Sequence, residues 1–271
     1  GRPLIKNMSQ GYNFFIRGTD FNIPSNLVDL DNNIVAIKLP LLENNKIFQI
    51  YPINIKKTKM NDDIKIIFMS SIKLETNEKE FLFWKTHKEK ILSNFAILDD
   101  KYFWQNNLAN KNLFETNRFY RITKSLLRFE IVTYLKKIYD KKFVLIGEDW
   151  RKYSIDSLKS NYDIKKNKKI YKGNICLDTG SLEGSSSLYP RANQIIESGG
   201  LIVQSYAFDA SEHWIDLKQD LLFKNFDELR NIIDKLINNL ELSNILLDKI
   251  SKHFKNSSIS MEETLTKYFS K

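Results

Sequence analysis

The stretch from Asp178 to Gly200 holds the residue types and spacing best suited to chemistry. A loop of small residues, with Gly180, Gly184, Ser181, Ser185, Ser186 and Ser187, leads into an expected short helix from about Pro190 to Ser198, with Arg191 in its first turn. Free backbone N–H groups, the positive end of the helix dipole and a guanidinium can converge there on a diphosphate. The residues placed to contribute are Gly180, Ser181, Ser187, Tyr189 and Arg191. The same composition also fits an ordinary connector followed by a surface arginine.

Weaker candidates lie on either side. Gly147 and Glu148 end a second apolar run, and the pair Glu148-Asp149 invites a metal or acid/base role, although adjacent acids usually point apart. His213 titrates near neutrality when unperturbed and could move a proton, whereas neighbouring Trp214 favours a packed histidine. Tyr189 and Tyr206 could stack on a base or sugar, and Arg118, Arg121 and Lys124 could reach an anion from a helix face. Cys176 falls inside an expected strand, where a buried thiol acts as a small apolar group. No Cys/His cluster has zinc spacing, so no metal site is expected.

The elements that must position these residues alternate. Ile64 to Met69 reads as a buried strand, Glu78 to Leu92 as a helix, and Phe143 to Ile146 as a strand closed by Gly147. Between them, Ile122, Leu126, Phe129, Val132, Leu135 and Ile138 recur every three or four residues and predict a helix over 121–138. Lys165 to Lys169 reads as a basic exposed loop. Asn174 to Leu177 and Leu201 to Gln204 are expected strands, and Phe226 to Leu240 and Ser243 to Phe254 expected helices. Gly199 and Gly200 suit a helix stop. This alternation predicts an α/β fold with an open parallel sheet and flanking helices. Residues 1–60 read as a short irregular N-terminal segment of strands or loops, and residues 61–271 as the α/β domain.

The chain has 271 residues, 42% of them hydrophobic and 28% charged, enough for one large or two modest domains. No apolar stretch reaches the roughly 20 residues that cross a bilayer. The start, Gly1-Arg2-Pro3-Leu4, has neither an initiator methionine nor a signal-peptide pattern, and is expected to be a boundary within a longer protein. A single cysteine excludes an intrachain disulfide and makes a reducing, cytoplasmic setting the expectation. The net charge of +9 comes from thirty-four lysines and only eight arginines spread along the chain, the pattern of a solvated surface. No specific nucleic-acid binding is expected from it.

The runs Asn174-Ile175-Cys176-Leu177-Asp178-Thr179-Gly180-Ser181 and Tyr189-Pro190-Arg191-Ala192-Asn193-Gln194-Ile195-Ile196-Glu197-Ser198-Gly199-Gly200-Leu201-Ile202-Val203-Gln204 resemble the C-terminal domain of GT-B-type glycosyltransferases, especially the spore-maturation-type group. Leu222 to Leu229 is similar to that group's short strand and acidic helix start. The resemblance runs from about Phe143 to Leu240 and implies a Rossmann-like domain that binds a nucleoside-diphosphate sugar as co-substrate. It implies glycosyl transfer without an obligatory metal or other cofactor, to an unknown glycan, lipid or protein acceptor, which is compatible with peripheral membrane association. Residues 1–60 would then be the remainder of the N-terminal domain, and no catalytic residue is identified. Arg191 matches the position that neutralises the donor phosphates, while Gln194 stands where the family commonly has a ribose-binding acid, with Glu197 one turn further on. The alternatives are a non-catalytic glycosyltransferase-like binding module and a basic nucleic-acid-binding domain.

Overall fold

The computed structural model describes the backbone of residues 3–6, 13–17, 28–29, 34–38, 42–43, 46–49, 55, 57–98, 113–160, 163–180 and 190–260, and side chains from residue 55 onward within those ranges except at 113–117, 164, 190, 208, 209, 212 and 254–260. The N-terminal part contains β1 (Pro3–Lys6), β2 (Asn13–Arg17), β3 (Val28–Asp29), β4 (Ile34–Lys38), β5 (Leu42–Glu43) and β6 (Lys46–Gln49). The first four form a mixed sheet in the order β1-β2-β4-β3, in which β2 and β4 run parallel. Short apolar runs cut by Asn, Asp and Pro thus give several brief strands here.

The main sheet contains β7 (Ile66–Met69), β8 (Phe143–Ile146), β9 (Ile175–Asp178), β10 (Leu201–Ser205) and β11 (Leu222–Phe223), all parallel, in the order β11-β10-β9-β7-β8. Every residue of β9 and β10 is buried. A parallel sheet covered on both faces requires such near-continuous apolar runs, which is why these strands were legible without alternation. Counted along the chain, the strands lie in the order 2-1-3-4-5, so the direction of winding reverses between β7 and β9. Ligands of open α/β sheets bind beyond the carboxyl ends of the strands at such a reversal.

Eight helices are described: α1 (Glu78–Ser93), α2 (Leu113–Tyr139), α3 (Ile164–Tyr171), α4 (Pro190–Glu197), α5 (Phe208–His213), α6 (Lys218–Leu221), α7 (Phe226–Asn238) and α8 (Leu240–Ser257). Helix α2 packs on α1 and meets α7 where the Tyr139 hydroxyl donates to Asp234 Oδ1 at 2.7 Å. Helix α4 packs on both α3 and α8. Crossovers between parallel strands are right-handed, which puts α1 and α2 on the face opposite α3 and α4. The fold is α/β with a Rossmann-like open parallel sheet. A final strand, β12 (Ser258–Ser260), runs parallel to β6, and β5 pairs with β6 from its other side.

Helix α1 starts in a capping box: Asn77 Oδ1 accepts from the Glu80 N–H, and Glu80 Oε2 accepts from the Asn77 N–H, each at 2.8 Å. The lysine-rich run expected as a loop is instead helix α3. Asp163 caps it by accepting from the Lys165 and Lys166 N–H groups, and Asn167 and Tyr171, four residues apart, are buried on one side. Lysine is a good helix former, and its charges masked that spacing in the sequence. Among the described residues no helix is long and apolar enough to cross a membrane.

Gly147 fixes how β8 leaves the sheet. A Cβ there would lie 2.0 Å from the Ser70 carbonyl oxygen, at the end of β7, and the Gly147 N–H donates to the Leu158 carbonyl at 2.9 Å. Because the obstructing atoms are backbone, the strands must separate to admit a methyl group. Gly147→Ala is therefore expected to destabilise the protein by about 3 kcal/mol. Urea denaturation checks this: the midpoint should fall while its denaturant dependence stays that of the parent chain.

Candidate functional site

Strand β9 ends at Asp178, beside the reversal of strand order, and the chain turns there through Thr179 and Gly180. Gly180 has φ of 74°, the left-handed region that glycine adopts without a steric penalty. Asp178 is fully buried. Its Oδ1 accepts from the Gly180 N–H at 3.3 Å and its Oδ2 accepts from Gln204 Nε2 at 3.1 Å. Gln204, at the matching position of β10 and also fully buried, accepts in turn from Trp214 Nε1 at 2.7 Å.

Arg128 reaches the same turn from α2. Its Nε donates to Thr179 Oγ1 at 2.8 Å and its Nη2 to the Gly180 carbonyl at 2.6 Å, and the residue is only 4% exposed. Three elements thus meet on three consecutive residues. Hydrogen bonds to charged groups in a buried setting contribute about 1.5–3 kcal/mol each, so the turn is held in one conformation.

Of the donor-site residues expected from sequence, Gly180 makes this turn, whereas Ser181, Ser187 and Tyr189 lie outside the described residues. Arg191 is half-buried in the first turn of α4. Its charge acts on the Tyr171 hydroxyl, partly offsetting burial, which raises the pKa of that phenol above its usual range. The same hydroxyl donates to Met69 Sδ at 3.2 Å, so Arg191 and the end of β7 share a neighbourhood. Gln194 is half-buried one turn further along α4. Glu197 lies six residues beyond Arg191, about 9 Å along the helix, and pairs with Lys168 of α3 at 3.4 Å. That pair ties α4 to α3 at the end remote from Arg191. Gly199 follows at φ 73°, where a Cβ would meet the Thr58 side chain at 2.3 Å, so it serves as helix stop and as a point of close approach.

The weaker candidates are placed elsewhere. Gly147 and Glu148 follow β8, which β7 separates from β9. The Glu148 N–H donates to Ser71 Oγ at 3.0 Å, and its carboxylate accepts from the Ser160 hydroxyl. Arg118 pairs with the buried carboxylate of Glu80. Lys124 lies over the Tyr120 ring, and Lys224 covers the Tyr206 ring at 4.5 Å. Cys176 is fully buried, which raises its thiol pKa well above the ordinary value and leaves it an apolar strand residue. Among the described residues no group of three or more His, Cys, Asp or Glu is gathered as a metal-ligand set.

Sequence reasoning missed Arg128, Gln204 and Trp214 as the supports of the turn. A signal existed for Arg128, since it precedes the fully buried Ile131, Val132 and Leu135 by three, four and seven residues. Gln204 is likewise the polar residue that closes an apolar strand run.

His213 is in the core, not at the turn. Its ring is fully buried, with centroids 4.3 Å from Trp214 and 4.6 Å from His253 of α8. Burial first, and then the neighbouring His253, lower its pKa from 6.5 to about 2. Below pH 6.5 the unfolded chain takes up a proton at this position that the folded chain refuses, so stability present at neutral pH is lost as the pH falls. The expected loss is about 1.4 kcal/mol per pH unit once the pH is below 6, continuing toward the folded pKa. Urea midpoints measured between pH 7 and pH 4 should fall in the parent chain and show a shallower acid dependence in His213→Gln.

Comparison of the chain with protein-family models, with curated proteins and with solved structures finds no match.

Proposed function

We propose that this chain supplies the nucleotide-sugar-binding domain of a metal-independent, GT-B-type glycosyltransferase. The observation that carries the reading is the Gly180 turn, at positive φ beside the winding reversal of a five-stranded parallel sheet, followed by a helix with Arg191 in its first turn. The resemblance of residues 174–204 to the family's donor-binding segment gives this geometry its substrate class.

In glycosyl transfer the bond between the anomeric carbon and the diphosphate oxygen breaks, and an acceptor nucleophile forms the new bond to that carbon. The leaving nucleoside diphosphate gains negative charge in the transition state. Arg191, helped by the N-terminal dipole of α4, stabilises that charge. Gln194, in place of an acid, is able both to donate to and to accept from a ribose hydroxyl. The base that activates the acceptor is not assigned to any residue of this chain.

The test is a thermal-shift and saturation-transfer screen against UDP, GDP, CMP, dTDP and their common sugar conjugates. One nucleotide family is expected to bind, and Arg191→Ala to weaken it by roughly tenfold or more while the protein stays folded. Gln194→Glu reports the ribose contact, with an expected change in affinity for ribonucleotides over their 2′-deoxy counterparts. Absence of binding by a folded parent chain would favour the non-catalytic module.

A further inference from the structure

We infer that the cleft between α6 and α7, at the β11 edge of the main sheet, binds a small carbohydrate. The cleft encloses about 400 Å³, within the range of small-molecule sites, and shares no residue with the donor site proposed above. The inference therefore stands independently of that reading. Tyr206 and Lys224 line the cleft where β10 and β11 end. Glu228, Asn231 and Ile232 line it along α7, and their spacing of three and four places them on one helical face. Helix α6 contributes Lys218 and Gln219, and buried Leu222 and Ile232 give the cleft an apolar part.

The polar groups decide the class of ligand. Tyr206, Lys224 and Glu228 are half-buried, and Lys218, Gln219 and Asn231 are exposed. Among the described residues, the side chains of Lys218, Gln219 and Asn231 have no hydrogen-bond or ion-pair partner. Glu228 commits Oε2 to the Lys224 N–H at 2.7 Å and leaves Oε1 without a partner among those residues. The Lys224 ammonium rests 4.5 Å from the Tyr206 ring centroid and not on a carboxylate. The set thus combines two ammonium donors, a carboxylate acceptor, and amides and a phenol that do both. A phosphate or carboxylate ligand takes donors alone, and Glu228 repels it. A flat aromatic ligand would stack on Tyr206, whose ring Lys224 covers. A hydroxyl group donates and accepts at once, so a polyol uses every group of this set and lays its C–H surface against Leu222 and Ile232.

The experiment is a saturation-transfer titration of the full chain with methyl α-D-mannopyranoside, methyl β-D-glucopyranoside, methyl β-D-galactopyranoside and N-acetylglucosamine. Inorganic phosphate, followed by its phosphorus line width, is the anionic probe, and thermal denaturation of each protein runs alongside. Glu228→Gln removes the charge but keeps an oxygen able to accept from the Lys224 N–H. Asn231→Leu removes an exposed amide, which guards against a variant that fails to fold. The expected result is binding of at least one of the four sugars, weakened about fivefold by each variant in its folded state. Phosphate binding is expected to be unchanged by Glu228→Gln. A cleft built for an anion would bind it more tightly once the carboxylate is gone, so phosphate binding strengthened by Glu228→Gln overturns the inference. A folded parent chain that binds none of the four sugars overturns it too, as does sugar binding that neither variant changes. Arg191→Ala is expected to leave sugar affinity at the parent value and to weaken only the nucleotide, so the donor-site reading and this one fail separately.

Discussion

A carboxylate with no solvent exposure, at the end of a central strand, constrains everything around it. Asp178 is deprived of water by the same helices that cover the parallel sheet, and a buried charge has to be met by donors fixed in place. The Gly180 N–H and the Gln204 amide meet it, and Gln204 is oriented in turn by the Trp214 indole. The chain of hydrogen bonds reaches from the first residues after β9, across β10, to the end of α5. Register between β9 and β10 is tied to it, since Gln204 is the residue paired with Asp178.

Arg128 brings the opposite layer into the same arrangement. Helix α2 lies on one face and α4 on the other, yet the guanidinium meets the turn that connects β9 to α4. The turn is therefore set by the whole three-layer assembly and not by its own glycine, which supplies only the freedom to adopt the conformation. A scaffold holds a turn in one conformation in this way: the turn residues are small, and the residues that orient them are large, buried and distant in sequence.

The polar supports at the turn contrast with the other buried polar groups. His213 lies against Trp214 and His253, where burial favours its neutral imidazole. Glu80 serves α1 as a capping residue and meets Arg118 of α2, so it joins two helices of one layer. Such groups specify packing. Asp178, Gln204 and Arg128 specify packing as well, but they do so beside the reversal of winding, where a parallel sheet offers a ligand its strand ends.

Local pattern alone determined much of this protein. Continuous apolar runs identified β7, β8, β9 and β10, three-and-four spacing identified α2 and α7, and Gly199-Gly200 marked the end of α4, because burial and backbone freedom act within a few residues of sequence. Pattern failed for α3, whose lysines hid a capped helix, and for β11, whose two residues are too few for a period and were indicated only by family resemblance. Gly180 and Arg191 were expected as site residues from composition and helix polarity, and the structure places Gly180 in the turn after β9 and Arg191 in the first turn of α4. What only the tertiary structure decided was the order of strands, the separation of Glu197 from Arg191 through its pairing with Lys168, the burial of His213, and the convergence of Arg128, Gln204 and Trp214 on Asp178 to Gly180. The strand order rests on backbone pairing between distant segments, and the rest on side chains brought together from 10 to 52 residues apart; contacts across such separations leave no periodic trace in a single sequence.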